Sequence, residues 1–498
     1  MVRPLTILAL FCSVSLFAQP IQTKRIEFPE KEINKYGCIT FEQDGLLIKT
    51  ENDNKQESKK VKVITYEKYD TTLQKVASID VSLPAKHMAY EVFTNETMQY
   101  DMMYKKSGEY TISALSVKDM HTKTIQGKMP KNTSVSYLRA VGDYVYILGV
   151  TKDLPMLLCQ NIQTGETSFG KIIPLNKRNF EIISFEINED TQEVYLFTKD
   201  IAKNEKIVKF YVYKDGKKTN EMLLKSTDED KYIVSAFASH LKDGSYLISG
   251  TYGNNSNKRS VTSTGIFIMN KGINGETKFL KYINYLDIKN FTSYLSERKQ
   301  EKIEKKAEKK AAQNKEYEIN YLMTPHNIIE QNGEYVLVGE AFYPTYEQRC
   351  EYYTGANGTQ TMRCYQVFDG YQYTHYFMLG FDNQGQTLWS NSAPLGIIEK
   401  PFQVVHYLSI NQNNPFVQII YSTWNSIILH NYKAGEEVSN NTILFTEENE
   451  KLLNSISRTS SWYKDTFISY GRQKIKDKEE HEKREIFFIE KIQIAPTH

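Results

Sequence analysis

The residues best suited to acid–base chemistry in this sequence are His326 and Glu340. His326 follows Thr324-Pro325 and precedes a predicted strand, and Glu340 ends that strand. A histidine beside a carboxylate can act as a general base, but a buried, hydrogen-bonded histidine is the commoner use of such a pair. The sequence contains no HExxH, Walker A, GxSxG or paired CxxC motif. It therefore gives no usual support to a metalloprotease, NTPase, α/β-hydrolase or zinc ribbon, and it assigns no catalytic residue or metal site.

The compartment follows from the first eighteen residues, which predict a secretory signal peptide. Residues 1–18 carry one positive charge, at Arg3, followed by an apolar run that ends at Phe17-Ala18-Gln19. That run is too short to span a bilayer, and no other stretch reaches the ~20 apolar residues that a transmembrane helix needs. We therefore expect an exported chain, residues 19–498, that forms a single domain, has no transmembrane segment and is periplasmic or outer-membrane-associated. The formal net charge of +2 is nearly balanced, so we expect no nucleic-acid partner.

Four cysteines remain after the signal peptide. Cys350 and Cys364 lie fourteen positions apart in one segment, and in an exported protein they most simply form a disulfide. Closing such a loop is worth ~3 kcal/mol on chain-entropy reasoning. A metal site is the rival interpretation, but neither cysteine has another cysteine or a histidine two to four positions away. Cys38 and Cys159 are either buried thiols or a second bridge, and the sequence does not decide between these.

A tyrosine-rich segment surrounds Cys350 and Cys364. There are eleven aromatic residues among the thirty-six from Phe342 to Phe377. We predict a disulfide-braced loop over 342–373 that offers large amphipathic rings to a protein or a glycan. Alternatively, the rings only cover the sheet from which the loop grows. The predicted partner-binding tyrosines are Tyr343, Tyr346, Tyr352, Tyr353, Tyr371 and Tyr373.

A charged helical insertion is predicted at 286–318. From Glu297 to Lys315 there are eight basic and four acidic residues and no Gly or Pro, which is a composition of strong helix formers. Ile303, Ala307 and Ala311 recur every four positions, so one narrow stripe can pack against the protein. Either the remaining faces are simply solvated, or they bind an acidic partner or membrane headgroups. In the second case the expected contacts are Lys302, Lys306, Lys309 and Lys310.

The rest of the chain repeats a two-part strand pattern. A polar turn precedes an alternating strand, as in 142–149 and 243–250, and about twenty residues later a second pair of strands flanks a glycine turn. The glycines of these turns are separated by 51, 59, 110 and 50 residues, and the long interval contains the helical and tyrosine-rich segments. The underlying period is therefore near fifty. A repeat of four short antiparallel strands at that period is typical of a β-propeller blade. The turn glycines are Gly165, Gly216, Gly275, Gly385 and Gly435.

The chain resembles the β-propeller superfamily, and in particular exported, Gram-negative envelope-type propellers with a PQQ-like blade turn. The motif that carries this resemblance is Asp-x-x-Gly-x-x-x-Trp at Asp382–Trp389. The tryptophan occurs in only one turn, so no specific family is identified and no cofactor is expected. The resemblance implies an all-β fold of about eight four-stranded blades, with seven as the alternative. Lys24–Phe28 is expected to complete the last blade and close the ring, which would remove free sheet edges.

These features favour a non-catalytic protein that binds or scaffolds a protein partner in a cell-envelope assembly. The alternative is a carbohydrate-binding or glycan-processing propeller enzyme, because aromatic rings stack on sugars and a propeller can bring acidic residues together at its axis. The sequence leaves open whether an axial pocket is catalytic, which partner or ligand binds, and what the oligomeric state is.

Overall fold

Eight antiparallel sheets follow one another along the chain, and we number them sheets 1 to 8. The structure is a computed structural model, and the predicted signal peptide lies outside the residues it describes, as does segment 355–359 of the predicted tyrosine-rich loop. The described residues are 20–29, 36–51, 61–84, 89–152, 154–172, 180–202, 205–226, 228, 230–254, 261–331, 333–354, 360–411, 416–446, 449–479 and 481–494.

Sheets 1 to 4 each contain four strands that are hydrogen-bonded in chain order. Sheet 1 comprises β2 Tyr36–Phe41, β3 Gly45–Glu51, β4 Val61–Tyr69 and β5 Lys75–Pro84. Sheet 2 comprises β6 Ala89–Thr94, β7 Met98–Tyr104, β8 Glu109–Ser116 and β9 Thr122–Lys128. Sheet 3 comprises β10 Ser134–Val141, β11 Tyr144–Thr151, β12 Leu154–Asn161 and β13 Thr167–Lys171. Sheet 4 comprises β14 Phe180–Asn188, β15 Glu193–Ala202, β16 Glu205–Lys214 and β17 Lys217–Leu224.

Sheets 5 and 6 follow the same plan with a first strand that is broken into two pieces. Sheet 5 comprises β18 Lys231–Ile233, β19 Phe237–His240, β20 Tyr246–Asn254, β21 Gly265–Lys271 and β22 Thr277–Asn284. Sheet 6 comprises β23 Leu322–Pro325, β24 Ile329–Gln331, β25 Glu334–Thr354, β26 Gln360–Phe381 and β27 Thr387–Pro394. Both pieces pair with the same second strand, β20 in sheet 5 and β25 in sheet 6. Each sheet therefore keeps four strand positions.

Sheets 7 and 8 complete the series. Sheet 7 comprises β28 Ser409–Asn411, β29 Val417–Ser422, β30 Ser426–Lys433 and β31 Glu436–Leu444. Sheet 8 comprises β32 Glu450–Ser461, β33 Thr466–Asp477, β34 Lys483–Ile494 and the N-terminal strand β1 Pro20–Pro29. Short 3-10 turns lie at Glu42–Asp44 and Tyr285–Asp287.

Both faces of a sheet are packed against neighbours, which explains the continuous apolar runs in the second strands. In β3, Leu46 and Ile48 pack toward sheet 8, whereas Leu47 between them packs toward sheet 2. Successive side chains of a strand point to opposite faces, so a strand that is buried on both faces needs apolar residues at every position. Residues 336–338 of β25 divide in the same way between sheets 5 and 7.

Clusters of buried side chains join the sheets into a closed circle. Seven clusters each combine two consecutive sheets, from sheets 1 and 2 through sheets 7 and 8. In a further cluster, Ile468 and Phe487 of sheet 8 pack with Leu46 and Ile48 of sheet 1. A circle of four-stranded antiparallel sheets is a β-propeller. The chain is an eight-bladed β-propeller, as predicted, and each sheet is one blade.

The ring closes through the strand that was expected at Lys24–Phe28. Strand β1 pairs antiparallel with β34 and so forms the outermost strand of blade 8. Arg25 Nη1 donates to Glu490 Oε2 at 3.2 Å and to the Phe445 carbonyl at 3.3 Å. Its guanidinium also lies 4.5 Å from the centre of the Phe488 ring. The N-terminal strand is therefore held by hydrogen bonds, by an ion pair and by packing at once.

Strand connections divide the ring into two faces. Because neighbouring strands are antiparallel, the turn between the second and third strands of a blade opens on the same face as the connection to the next blade. The β25–β26 turn and the insertion at 285–321 share this face, which we call the ribbon face. The turns between third and fourth strands, which contain Gly165 and Gly435, lie on the opposite face.

The predicted charged helix is α1, which spans Glu297–Ala311 and has no buried residue. Its contact side faces segment 286–293, through Ile303 and Ala307, and Gln300 Nε2 donates to the Leu295 carbonyl at 2.7 Å. The predicted stripe also included Ala311, but that residue is exposed. The helix therefore rests on the protein along about two turns.

We expect Gly435→Ala to destabilise the protein more than Gly165→Ala. Both glycines have positive φ, +78° and +76°, so a side chain costs ~1–2 kcal/mol at either position. A Cβ at Gly435 would also lie 2.8 Å from Trp389 Cε3 of the preceding blade, whereas a Cβ at Gly165 would meet nothing within 4 Å. Overpacking adds ~1–3 kcal/mol at Gly435 alone. Urea denaturation measures both losses, and equal losses would show that the Trp389 contact does not constrain the turn.

We expect replacement of residues 297–315 by a short Gly/Ser linker to change the melting temperature by no more than about 2 °C, because α1 contributes no buried side chain. The control is Phe291→Ala in the same insertion. Phe291 is buried and its ring centre lies 4.8 Å from that of Tyr285, so its loss should cost ~3–5 kcal/mol. A large loss of stability on excision of the helix would place α1 in the fold.

Candidate functional site

The tyrosine-rich segment forms a two-stranded antiparallel ribbon that stands out from blade 6. It consists of residues 343–354 of β25 and 360–372 of β26, which pair with each other. Residues 346–354 and 360–366 are exposed. The loop predicted over 342–373 is instead a continuation of the strands of the blade, with register shifts between Ala341 and Phe342 and between Thr345 and Tyr346. This correction matters because a ladder fixes which side chains share a face, whereas a loop does not.

The predicted disulfide between Cys350 and Cys364 is present. The two residues lie directly opposite each other in the ladder, with their Cα atoms 4.0 Å apart. An isolated pair of strands is at best marginally stable in water, so the bond braces the part of the ribbon that has no other support. Cys38 and Cys159 are free thiols, and burial raises the pKa of Cys159 to about 12.

The ladder register sorts the ribbon side chains onto two faces. Cross-strand partners share a face, and successive residues of one strand point to opposite faces. One face carries a row of apolar groups, and we call it the apolar face: Tyr346, Tyr352, Met362, Phe368 and the Cys350–Cys364 disulfide, with Gln348, Thr354, Gln360 and Gln366 between them. The other is the polar face, on which the Tyr353 and Tyr365 hydroxyls donate to Glu351 at 2.8 and 2.5 Å: Glu347, Arg349, Glu351, Tyr353, Arg363 and Tyr365.

The apolar face is solvent-exposed and continues onto the body of the propeller. Tyr352 is 73% exposed, Met362 58% and Tyr346 57%. The Phe368 ring centre lies 5.9 Å from that of Tyr346 and 6.0 Å from that of Phe402, which is itself 70% exposed. An aromatic stripe therefore runs from the ribbon to the connection between blades 6 and 7.

The predicted binding tyrosines divide between the ribbon surface and its root. Tyr343 is exposed, as are Tyr346, Tyr352 and Tyr353, whereas Tyr371 is half-buried. Tyr373 belongs to the core: its hydroxyl donates to the Val405 carbonyl at 2.6 Å, and its ring packs against Phe342 and Tyr407. Its inclusion among surface contacts was therefore wrong, because a buried ring cannot offer area to a partner.

Charges on α1 are segregated around its axis. At ~100° per residue, the acidic residues Glu297, Glu301, Glu304 and Glu308 share one side. The basic residues occupy roughly the opposite half of the helix: Arg298, Lys299, Lys302, Lys305, Lys306, Lys309 and Lys310. Within the described ranges, the four predicted lysines make no ion pair. The basic half points away from the contact with 286–293 and is available to a partner.

The insertion and the root of the ribbon meet at a buried histidine. His375 of β26 stacks on Tyr294 with ring centres 4.3 Å apart, and Phe291 and Tyr321 pack against its edge. Burial lowers the pKa of His375 to about 3, so the ring is neutral in this aromatic setting. Burial raises the pKa of Tyr294, and the nearby hydroxyl of Tyr343 adds to that rise. The insertion is thus anchored at the root of the ribbon, beside both of its strands.

The predicted pairing of His326 with Glu340 is present. His326 Nε2 lies 2.8 Å from Glu340 Oε1, and Glu340 is fully buried. The carboxylate also accepts the backbone N–H groups of Tyr407, at 3.0 and 3.1 Å, and of Leu408, at 3.2 Å. The sequence signal found the pair but not these backbone donors. Glu340 thereby fastens the start of blade 7 to blade 6, which accounts for a charge in the core.

His326 borders a cavity of about 350 Å³ on the ring axis. The cavity is axial because first strands of blades 4 to 7 line it, through Glu186, Phe237, Ile329 and Ile410. His406 also lines it, with its ring stacked 4.1 Å from that of His326, and desolvation together with nearby His326 lowers the pKa of His406 to about 4. Glu186 supplies the one carboxylate of the described lining. A glycosidase uses two carboxyl groups, one on each side of the scissile bond. The described lining supplies one carboxyl group, that of Glu186.

In the described ranges, no three or more His, Cys, Asp or Glu side chains form a group that could hold a metal ion. No described helix is long and apolar enough to cross a membrane.

Comparisons with known proteins give the chain no relative in sequence. No protein-family model matches it, and no curated protein matches it. Among solved structures it is similar to the polysaccharide lyase Uly1, with 9% identity and a TM-score of 0.38 over 95% of this chain and 100% of the other. It is also similar to the WD40 domain of SCAP from fission yeast, with 8% identity and a TM-score of 0.40 over 95% and 98%. A third similar structure is the β-propeller domain of the Trilobed protease from Pyrococcus furiosus. It has 9% identity and a TM-score of 0.34 over 80% of this chain and 97% of the other.

These likenesses are too remote to bear on activity or partners. The eight-bladed ring rests on the chain's own sheets and on the clusters between them.

We expect Glu340→Ala to lower the free energy of unfolding by ~3–5 kcal/mol, because it leaves His326 and two backbone N–H groups without their buried acceptor. Urea denaturation measures the loss. The control Glu436→Ala removes an exposed ion pair with Lys289 and should cost no more than about 1 kcal/mol. A similarly small loss for both variants would mean that Glu340 does not fasten blade 7.

Proposed function

We propose that the protein is an exported, non-catalytic β-propeller that serves as a binding or scaffold subunit of a cell-envelope assembly. Its partner is a protein that is held on the ribbon face. The observation that carries this proposal is the apolar face of the ribbon, which exposes Tyr346, Tyr352 and Met362 on a disulfide-braced ladder. Exposed apolar area on a rigid element is characteristic of interaction sites.

Chemistry on the apolar face favours a protein over a glycan. A thioether and a disulfide lie beside the aromatic rings of this face and suit the apolar side chains of a protein, whereas a sugar is bound by stacked rings together with polar groups for its hydroxyls. Tyrosine rings at the centre of a protein interface give a large contact area at a low cost in conformational entropy. A glycan therefore remains the alternative outcome of the test.

The helix adds a charge preference on the same face of the ring. The basic half of α1 carries Lys302, Lys306, Lys309 and Lys310, and it would favour acidic groups on the partner. Such exposed charges mainly speed the encounter, and salt screens them over a Debye length of about 8 Å at physiological ionic strength. The ribbon supplies most of the affinity in this proposal, and the helix supplies steering.

The test compares the two faces of the ribbon. We expect the triple variant Tyr346→Ser, Tyr352→Ser and Met362→Ser to lose at least tenfold in capture of an envelope protein, because truncating central interface residues commonly costs more than ~1 kcal/mol each. The matched control is Tyr353→Ser, Arg363→Ser and Tyr365→Ser on the polar face, which should reduce capture no more than about threefold. Quantitative mass spectrometry of envelope proteins retained by the immobilised chain gives both values.

Melting temperatures of both variants should stay close to wild type, since all the altered side chains are exposed. Equal capture by wild type and the apolar-face variant would contradict the proposal. Retention of polysaccharide rather than protein by the wild type, with loss on the same variant, would favour the glycan alternative.

A further inference from the structure

Both long edges of the ribbon carry backbone groups that no neighbouring strand of the blade uses. Strand β23 pairs with β25 only as far as Phe342, and β27 pairs with β26 only as far as His375. Beyond these points, residues 346–354 and 360–368 pair only with each other among the described strands. Each edge therefore presents N–H and C=O groups that can accept a further strand.

The position of the disulfide shows which backbone groups point outward. Cys350 and Cys364 are directly opposite with Cα atoms 4.0 Å apart. That spacing identifies a non-hydrogen-bonded pair, for which ~4.5 Å is usual against ~5.5 Å for a hydrogen-bonded pair. The N–H and C=O groups of such residues point away from the ladder. By alternation, the same holds for Gln348 and Tyr352 on the β25 edge.

Of the two edges, that of β26 is obstructed at its root. Tyr371 N donates to the Pro401 carbonyl at 2.9 Å, and Lys400 Nζ lies 2.6 Å from Asp369 Oδ2. The connection between blades 6 and 7 thus already lies along this edge. Among the described residues, no backbone hydrogen bond from outside the ribbon reaches β25 beyond Phe342. Among the described residues, the β25 edge along Tyr346–Thr354 is therefore the unobstructed one.

We propose that the partner binds by adding a β-strand to the edge of β25, along Tyr346–Thr354. This inference rests on the proposed function and specifies how the ribbon holds its partner. The added strand pairs with the outward N–H and C=O groups of Gln348, Cys350 and Tyr352. Every second side chain of the added strand then lies on the apolar face and packs against Tyr346 and Tyr352.

The basic half of α1 indicates a second property of the bound segment, which is its net negative charge. The insertion on the same face of the ring carries the basic half of α1, which makes no ion pair through its four predicted lysines within the described ranges. Acidic residues in the partner are the complement of that surface. The occupant is therefore an extended polypeptide that alternates apolar and polar residues and carries net negative charge.

The test is a pair of proline substitutions, Gln348→Pro and Gln366→Pro. These glutamines face each other across the ladder, and each N–H points to a different edge. Proline removes an outward N–H without removing a hydrogen bond between β25 and β26. Capture is measured for the envelope protein that the wild type retains and the apolar-face variant loses. We expect Gln348→Pro to reduce capture at least tenfold and Gln366→Pro to leave it within about threefold, with the disulfide formed in both.

Each other result overturns the inference in a recognisable way. If Gln348→Pro and Gln366→Pro capture the partner equally, the partner does not add a strand to the β25 edge. The ribbon proposal survives that result, provided that the apolar-face variant still fails to bind. A loss with Gln366→Pro alone would place the strand on the β26 edge. A dimer of the purified chain that Gln348→Pro dissociates would make a second copy the occupant of the β25 edge.

Discussion

The structure depends on the pairing of β1 with β34, because this contact converts a row of blades into a ring. Every blade is a twisted sheet with two apolar faces, and each face needs a neighbour. The cluster of Leu46, Ile48, Ile468 and Phe487 supplies the last of these contacts, and Arg25 holds the N-terminal strand against it. With the first and last described strands in one blade, the ring is closed and forms the base from which the ribbon projects.

Much of the fold could be predicted because its signals are local and repeat. Turn glycines set the period, and continuous apolar runs mark strands that are packed on both sides. What the repeat could not show is that turn glycines also sit under aromatic residues of the preceding blade, as Gly435 does under Trp389. That contact joins residues of different blades, and only the ring brings them together.

Prediction of the candidate site was less complete, because it depends on register. The segment around Cys350 was recognisable by composition, and oxidation of the pair followed from the compartment that the signal peptide predicts. Its aromatic residues look alike in sequence, yet Tyr352 is exposed and Tyr373 is core. The difference follows from distance along a ladder whose length composition does not reveal. In the same way, His326 and Glu340 were paired correctly, but their role in holding the next blade required a backbone segment from farther along the chain.

The central claim is that a partner protein lies against one face and one edge of the ribbon. Site-specific photocross-linking tests it directly, with p-benzoylphenylalanine placed at Tyr352 or at Tyr353 in the producing cell. These neighbours point to opposite faces of the same strand. The account predicts one dominant cross-linked envelope protein from position 352 and at most a weak trace of it from position 353. Equal cross-linking from both positions, or stronger cross-linking from position 353, would contradict it.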